Sequence, residues 1–183
     1  MTFAEAYTER ASVWSDIGDH LAFLYATVLS YEKPDVVELG VRSGNSTSAF
    51  LAALEANGGH LWSVDINPPQ VPAEWHDSEL WTFHQGNDLD MQAVLPETCD
   101  VLFIDTSHTM EHTLAELRAF VPRVRPGGIV LCHDTQWLYP NISLPGKGGP
   151  VTEALDVFCA ETGHHWENRD SAPGYYGLGV IRP

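Results

Sequence analysis

Five short, mostly apolar runs, at 35–40, 60–66, 80–85, 101–104 and 129–132, punctuate the chain, and polar residues or glycines stand where they stop. Between them lie segments with apolar residues at three- and four-residue steps, at 46–57, around 91–95 and at 109–121. Strands that are apolar on both faces and alternate with amphipathic helices build a mostly parallel sheet covered on both sides. A further helix at 151–162 and a closing strand at 175–181 complete that pattern. Ahead of it, residues 1–33 place Phe3, Tyr7, Trp14, Ile17, Leu21 and Leu24 at helical spacing, in two segments meeting near Gly18. At 183 residues the chain supplies one buried core, so 1–183 reads as a single domain: a helical segment over 1–33 and an α/β core over 34–183.

Charge narrows the partners. Nine Lys and Arg against 25 Asp and Glu leave a formal charge of −16, which repels a nucleic-acid backbone. No apolar stretch reaches membrane-spanning length, and the first residues carry charges before any apolar run, so the expected location is the cytoplasm. Cys99, Cys132 and Cys159 are spaced too widely for a Cys-x-x-Cys metal site and read as reduced core residues.

In parallel α/β sheets ligands bind beyond the carboxyl ends of the strands. There the sequence gathers Glu38, Gly40, Asp65, Asn87, Asp88, Asp105, His108, His133 and Asp134. The first turn, Gly40-Val41-Arg42-Ser43-Gly44-Asn45-Ser46, lacks the Gly-x-Gly-x-x-Gly spacing of a dinucleotide site and the Gly-Lys-Ser/Thr of a phosphate loop. Glu38 before it suits a cationic or zwitterionic ligand better than a pyrophosphate. Local roles compete for the same side chains: Glu38 could pair with Arg42, Asp65 could cap the turn at Asn67-Pro68, and Asp88 could cap the helix near Met91.

The run V-V-E-L-G-V-R-S-G-N-S resembles the first motif of class I S-adenosylmethionine-dependent methyltransferases, in which glycines let the backbone approach the methionine part. That resemblance implies a Rossmann-like fold and a cofactor set of Glu38, Gly40, Gly44, Asn45, Ser46, Asp65, Asn87, Asp88 and Asp105. Asp65 would hold the ribose hydroxyls, and Gly86-Asn87-Asp88 would meet the adenine. Within the class, V-D-I-N-P-P, F-I-D-T-S-H and R-P-G-G-I-V-L-C-H-D-T are similar to the divalent-metal small-molecule O-methyltransferases of the catechol O-methyltransferase type, and to macrocin O-methyltransferase and cephalosporin hydroxylase. The resemblance spans 36–135 and implies a small-molecule hydroxyl as acceptor.

The same resemblance implies Asp105 and Asp134 as ligands of magnesium or manganese, with Thr135 where those enzymes carry an amide. His133 is the alternative third ligand, and an imidazole there leans toward manganese, iron or zinc. His108 or Asp105 would be the base that takes the acceptor proton. His112, His164 and His165 match neither motif and are expected on the surface, while Trp137 and Tyr139 are expected at the acceptor pocket. The hydroxylase resemblance keeps open another chemistry on the same fold, as does a non-catalytic cofactor-binding subunit. The short connections around the site point to an open pocket or to one completed by a second copy of the chain.

Overall fold

A computed structural model of the chain describes residues 2–136, 148–169 and 176–183. Trp137, Tyr139 and Tyr175, the last expected to open the closing strand, lie outside these described residues.

Local chemistry sets the helix ends. Helix α1 (Phe3–Ala11) starts in a capping box, with Thr2 Oγ1 accepting from the Glu5 N–H at 3.1 Å and the Glu5 carboxylate accepting from the Thr2 N–H at 2.9 Å. A 3-10 turn at Gly18–His20 leads into α2 (Leu21–Leu29), and the non-helical stretch 12–17 separates the two segments that were expected to meet near Gly18. Helix α3 (Asn45–Asn57) springs from Gly44, whose φ of 75° is left-handed. Thr109 caps α4 (Met110–Phe120), and α5 (Pro150–Thr162) opens on proline and stops at left-handed Gly163.

Seven strands, β1 (Asp35–Leu39), β2 (His60–Asp65), β3 (Trp81–Gln85), β4 (Cys99–Ile104), β5 (Val124–His133), β6 (Trp166–Arg169) and β7 (Leu178–Ile181), form one sheet in the order β3-β2-β1-β4-β5-β7-β6. The first five are mutually parallel, whereas β7 runs antiparallel to both β5 and β6. Successive side chains leave opposite faces. Val36, Phe103 and Leu131 pack with Leu21, Leu24 and Phe50 under α2 and α3, and Val37, Leu102 and Val130 pack with Leu117, Phe120 and Phe158 under α4 and α5. The expected mostly parallel sheet with helices on both faces is therefore present.

Three details differ from expectation. Strand β5 begins at Val124 and runs through Pro126-Gly127-Gly128, which introduce an irregularity between the Cys99 and Val101 pairings instead of a turn before the strand. The segment near Met91 is a single 3-10 turn at Gln92–Val94. Polar β6 was not anticipated, because an edge strand reading Trp-Glu-Asn-Arg has no apolar run.

One buried carboxylate joins three elements beneath the strand ends. Glu38 on β1 is fully enclosed and accepts hydrogen bonds from Ser46 Oγ at 2.7 Å, Thr47 Oγ1 at 3.0 Å and Ser63 Oγ at 2.6 Å. Ser63 Oγ in turn accepts from the indole N–H of Trp81 at 2.9 Å, so β1, β2, β3 and α3 share one polar knot. Burial pushes the Glu38 carboxyl up to about 7, with the three hydroxyls opposing the rise and the charge of Asp105 adding to it.

A carboxyl raised in the fold stabilises the protein fully below its unfolded value and loses that contribution as pH climbs through the folded value. Glu38 moves from 4.5 to about 7, so its contribution falls across that window. Urea unfolding at pH 5 and pH 8 is therefore expected to show the wild type losing about 3 kcal/mol relative to Glu38→Gln, which does not titrate. A pH-independent difference would refute protonation of Glu38.

Candidate active site

A cleft of about 400 Å³ opens over the carboxyl ends of β1 to β4. Its floor continues the sheet's hydrogen bonding: the Gly40 N–H donates to the Val64 carbonyl at 2.8 Å, the Asp105 N–H to Leu39 at 2.8 Å, and the Gly86 N–H to Asp65 at 2.9 Å. Gly40, at φ 92°, lies so close to β4 that a Cβ would come within 1.9 Å of the Asp105 carbonyl oxygen. No side chain fits there, because the Asp105 backbone already fills that space.

Asp65 closes β2. Its Oδ2 accepts from the Val41 and Arg42 N–H groups at 2.8 and 2.9 Å, and its Oδ1 accepts from the Asn67 N–H at 2.8 Å. The turn-capping role is thus real, and it fastens the β1 and β2 loops together. These bonds use both lone pairs of Oδ2 and one of Oδ1, so Oδ1 keeps capacity for a further hydrogen bond.

Gly86, Asn87 and Asp88 line the next stretch of wall. Asp88 is buried and accepts from the Leu89 N–H at 2.7 Å, so it too serves as a local cap. His112, expected on the surface, instead lines the cleft with Nε2 3.1 Å from Asp88. The first turn of α4 brings it there, and Glu116 follows one turn later, fully buried, accepting from Thr106 Oγ1 at 2.8 Å. Burial first, then the contact and charge of Asp88, push the Glu116 carboxyl up to about 10, so it keeps its proton against its neighbour. The i, i+4 spacing of His112 and Glu116 on an amphipathic helix was the signal available in the sequence.

The structure sets Glu38 beneath the cleft rather than in its lining, and no pair with Arg42 forms, since Arg42 Nη1 binds Asp16 at 2.8 Å. Ser46 is drawn inward by Glu38, Gly44 starts α3, and Asn45 Oδ1 accepts from Arg10 at 3.2 Å on the far side of the loop. Among the residues named from sequence for the cofactor, Gly40, Asp65, Asn87, Asp88 and Asp105 face the cleft. The connection after β2 buries Trp75 against Phe3 and Trp81.

At the ends of β4 and β5 two carboxylates meet two imidazoles. His108 Nε2 lies 3.0 Å from Asp105 Oδ1 and 2.9 Å from Asp134 Oδ2, and His133 Nδ1 lies 3.4 and 3.2 Å from the same two oxygens. Burial alone would lower His108, but its bonds and charge contacts with Asp105 and Asp134 outweigh that and push it up to about 10. Burial likewise opposes, and the two carboxylates override, a rise at His133 well above the usual imidazole range. Asp105, which burial would raise, is held below the usual carboxylate range by the charge of His133 and by hydrogen bonds from both rings.

Asp105, His108 and Asp134 each present one ligand atom, all within 4.8 Å of one another, and His133 Nδ1 faces the same point. Two hard oxygens with an imidazole nitrogen suit a divalent cation, so the residues fit the metal that the sequence resemblance implied. His133 Nε2 is buried with no hydrogen-bond partner, which leaves Nδ1 as the ring's working atom. Thr135 does not join the group, because its hydroxyl donates to Asn168 Oδ1 on β6 at 2.6 Å. That bond could not be read from sequence, since β6 itself was not.

The backbone is strained around this constellation. Three of the four described non-glycine residues with positive φ border it, Arg42 at 49°, His108 at 55° and Asp134 at 66°. Such conformations cluster at functional sites, where surrounding contacts hold them.

Comparison with known proteins agrees with this architecture. No curated protein matches the chain by sequence. Among solved structures, the O-methyltransferase TomG from Streptomyces achromogenes, involved in tomaymycin synthesis and in complex with SAM, superposes with a TM-score of 0.68 at 16% identity, covering 97% of this chain and 89% of that one. An O-methyltransferase from Bacillus cereus in complex with SAH gives 0.65 at 15% identity, over 99% and 90%. The mycinamycin-pathway methyltransferase MycE, in complex with Mg, SAH and mycinamycin VI, gives 0.68 at 17% identity, over 100% of this chain and 54% of that one. These likenesses establish the fold. A family model described as a methyltransferase domain matches residues 37–135, more than half of the chain, and the protein therefore belongs to that methyltransferase-domain family, on the class I methyltransferase fold.

Proposed function

We propose that the chain is an S-adenosylmethionine-dependent O-methyltransferase that acts on a hydroxyl of a small molecule with the help of a divalent cation. The observation that carries this reading is the convergence of Asp105, His108, His133 and Asp134 on one point in the wall of a cleft already furnished with Gly40, Asp65 and Asp88. The fold likeness to O-methyltransferases in complex with SAM or SAH, one of them also with Mg, supports it.

In this reading Asp65 accepts the ribose hydroxyls and Asn87 and Asp88 border the adenine. Gly40 lets the amino-acid portion pass over β1, and Asp105 sits where cofactor and acceptor meet. Asp105 and Asp134, with His133 Nδ1 as the nitrogen donor, would hold the cation, whose chemistry is to make a bound hydroxyl more acidic. His108, held by the same two carboxylates, is the group placed to take the proton of the acceptor hydroxyl, and a cation sharing those carboxylates would weaken their hold on the proton it already carries. The acceptor oxygen then bonds to the methyl carbon as the carbon–sulfur bond breaks, the sulfonium becomes a neutral thioether, and the proton resides on His108. Positioning the two reactants in line within a partly dry cleft supplies much of the acceleration.

Isothermal titration is expected to show binding of S-adenosylhomocysteine, and Asp65→Ala to abolish it; undiminished binding in that variant would remove Asp65 from the ribose. His108→Ala is expected to cut kcat by roughly 10²- to 10⁴-fold with cofactor affinity retained. EDTA should reduce turnover, and Mn2+ titrated into the EDTA-treated protein should bind in the wild type and fail to bind in Asp134→Asn. Full turnover in EDTA would exclude a metal role for the cluster.

A further inference from the structure

Among the described residues lining the cleft, Arg42 is the sole lysine or arginine, set in a wall that also holds Asp65, Asp88 and Asp105. This imbalance matters for the ligand proposed above. S-adenosylmethionine carries a sulfonium and an ammonium, which acidic walls favour, and one carboxylate, which they repel. In a chain of net charge −16 the long-range field adds to that repulsion. A guanidinium at the cleft mouth, away from His108 and the carboxylates that hold its proton, favours binding of that carboxylate.

We propose that Arg42 is the cofactor-carboxylate receptor, a binding residue that lets this acidic cleft accept an amino-acid-bearing nucleoside.

Three observations carry the assignment. Arg42 occupies the loop between β1 and α3, directly after Gly40 and Val41, and all three line the cleft. Its φ of 49° is unfavourable for a side chain of any size, and Asp65 Oδ2 holds it by accepting from the Arg42 N–H at 2.9 Å. The residue that grips the ribose in this reading thus also fixes the backbone that carries the guanidinium. Finally, the side chain is anchored without being used up: Nη1 donates to Asp16 at 2.8 Å, and the guanidinium has five N–H donors in all. Asp16 orients the fork from the segment before α2, and the remaining donors face solvent at the cleft mouth, with most of the side chain exposed.

The inference rests on the proposed cofactor, and the test separates the two. Decarboxylated S-adenosylmethionine keeps the nucleoside, the sulfonium and the ammonium and lacks the carboxylate alone. By isothermal titration the wild-type protein is expected to bind S-adenosylmethionine roughly 10- to 100-fold more tightly than the decarboxylated compound, as a charge-assisted pair would give. Arg42→Gln should lower that preference to about one by weakening S-adenosylmethionine alone, and Arg42→Lys should restore part of it.

If Arg42→Gln weakens both compounds equally, or neither, Arg42 is not the receptor. A wild type that binds both compounds with equal affinity also overturns the assignment, while leaving the cofactor reading intact. A wild type that binds neither overturns the cofactor reading and this inference with it. Asp16→Asn is expected to reduce the preference only in part; abolition of it with Arg42 in place would make Asp16, not Arg42, the determinant.

Discussion

Six carboxyl groups, Glu38, Asp65, Asp88, Asp105, Glu116 and Asp134, are brought to one end of the sheet, and the rest of the site follows from how their mutual repulsion is answered. Each has its own remedy. Hydroxyls surround Glu38, backbone N–H groups clasp Asp65, and imidazoles face Asp88, Asp105 and Asp134. Glu116, buried beside Asp88, stays neutral. Removing any counter-group leaves a charge with too little water around it to compensate. The cleft is thus a region where cationic ligands relieve strain that the fold already carries.

That arrangement explains why the site can be preformed yet responsive. Ladder hydrogen bonds fix Gly40, Asp105 and Gly86, and local backbone contacts fix Asp65 and Asp88, so the part of the cleft over β1 to β3 is tied to the sheet. At the ends of β4 and β5 two carboxylates are shared by two rings, with His108 partly exposed and His133 enclosed. A proton on His108 and a cation between the carboxylates answer the same repulsion, so each weakens the need for the other.

Much of this was legible in the sequence, because short apolar strands end in polar residues and parallel topology dictates where those ends lie. Asp65, Asp105, His108, His133 and Asp134 were found in that way. What escaped depended on partners distant in the chain. Glu38 reads as a wall residue until Ser46, Thr47 and Ser63 are seen to enclose it. His112 and Glu116 look like the polar face of a helix, and only the placement of Asp88 draws them inward. Thr135 stands beside a ligand in sequence but turns to Asn168, on a strand whose polar composition hides it. Arg42 belongs to the turn that the resemblance picked out, yet that it is the sole lysine or arginine among the described residues lining the cleft is something no local pattern displays.

The sheet order carries a consequence for the making of the protein. Strand β7 follows β6 in the chain but lies between β6 and β5, so β5 has no neighbour on that side until residues 178–181 are available. On a ribosome, the strand that delivers His133 and Asp134 therefore remains an open edge after β1 to β4 have been synthesised. Open edges invite pairing with other chains. The part of the sheet that bears Gly40 and Asp65 is thus laid down first, and the end of β5 that leads to Asp134 is secured only by the last strand described.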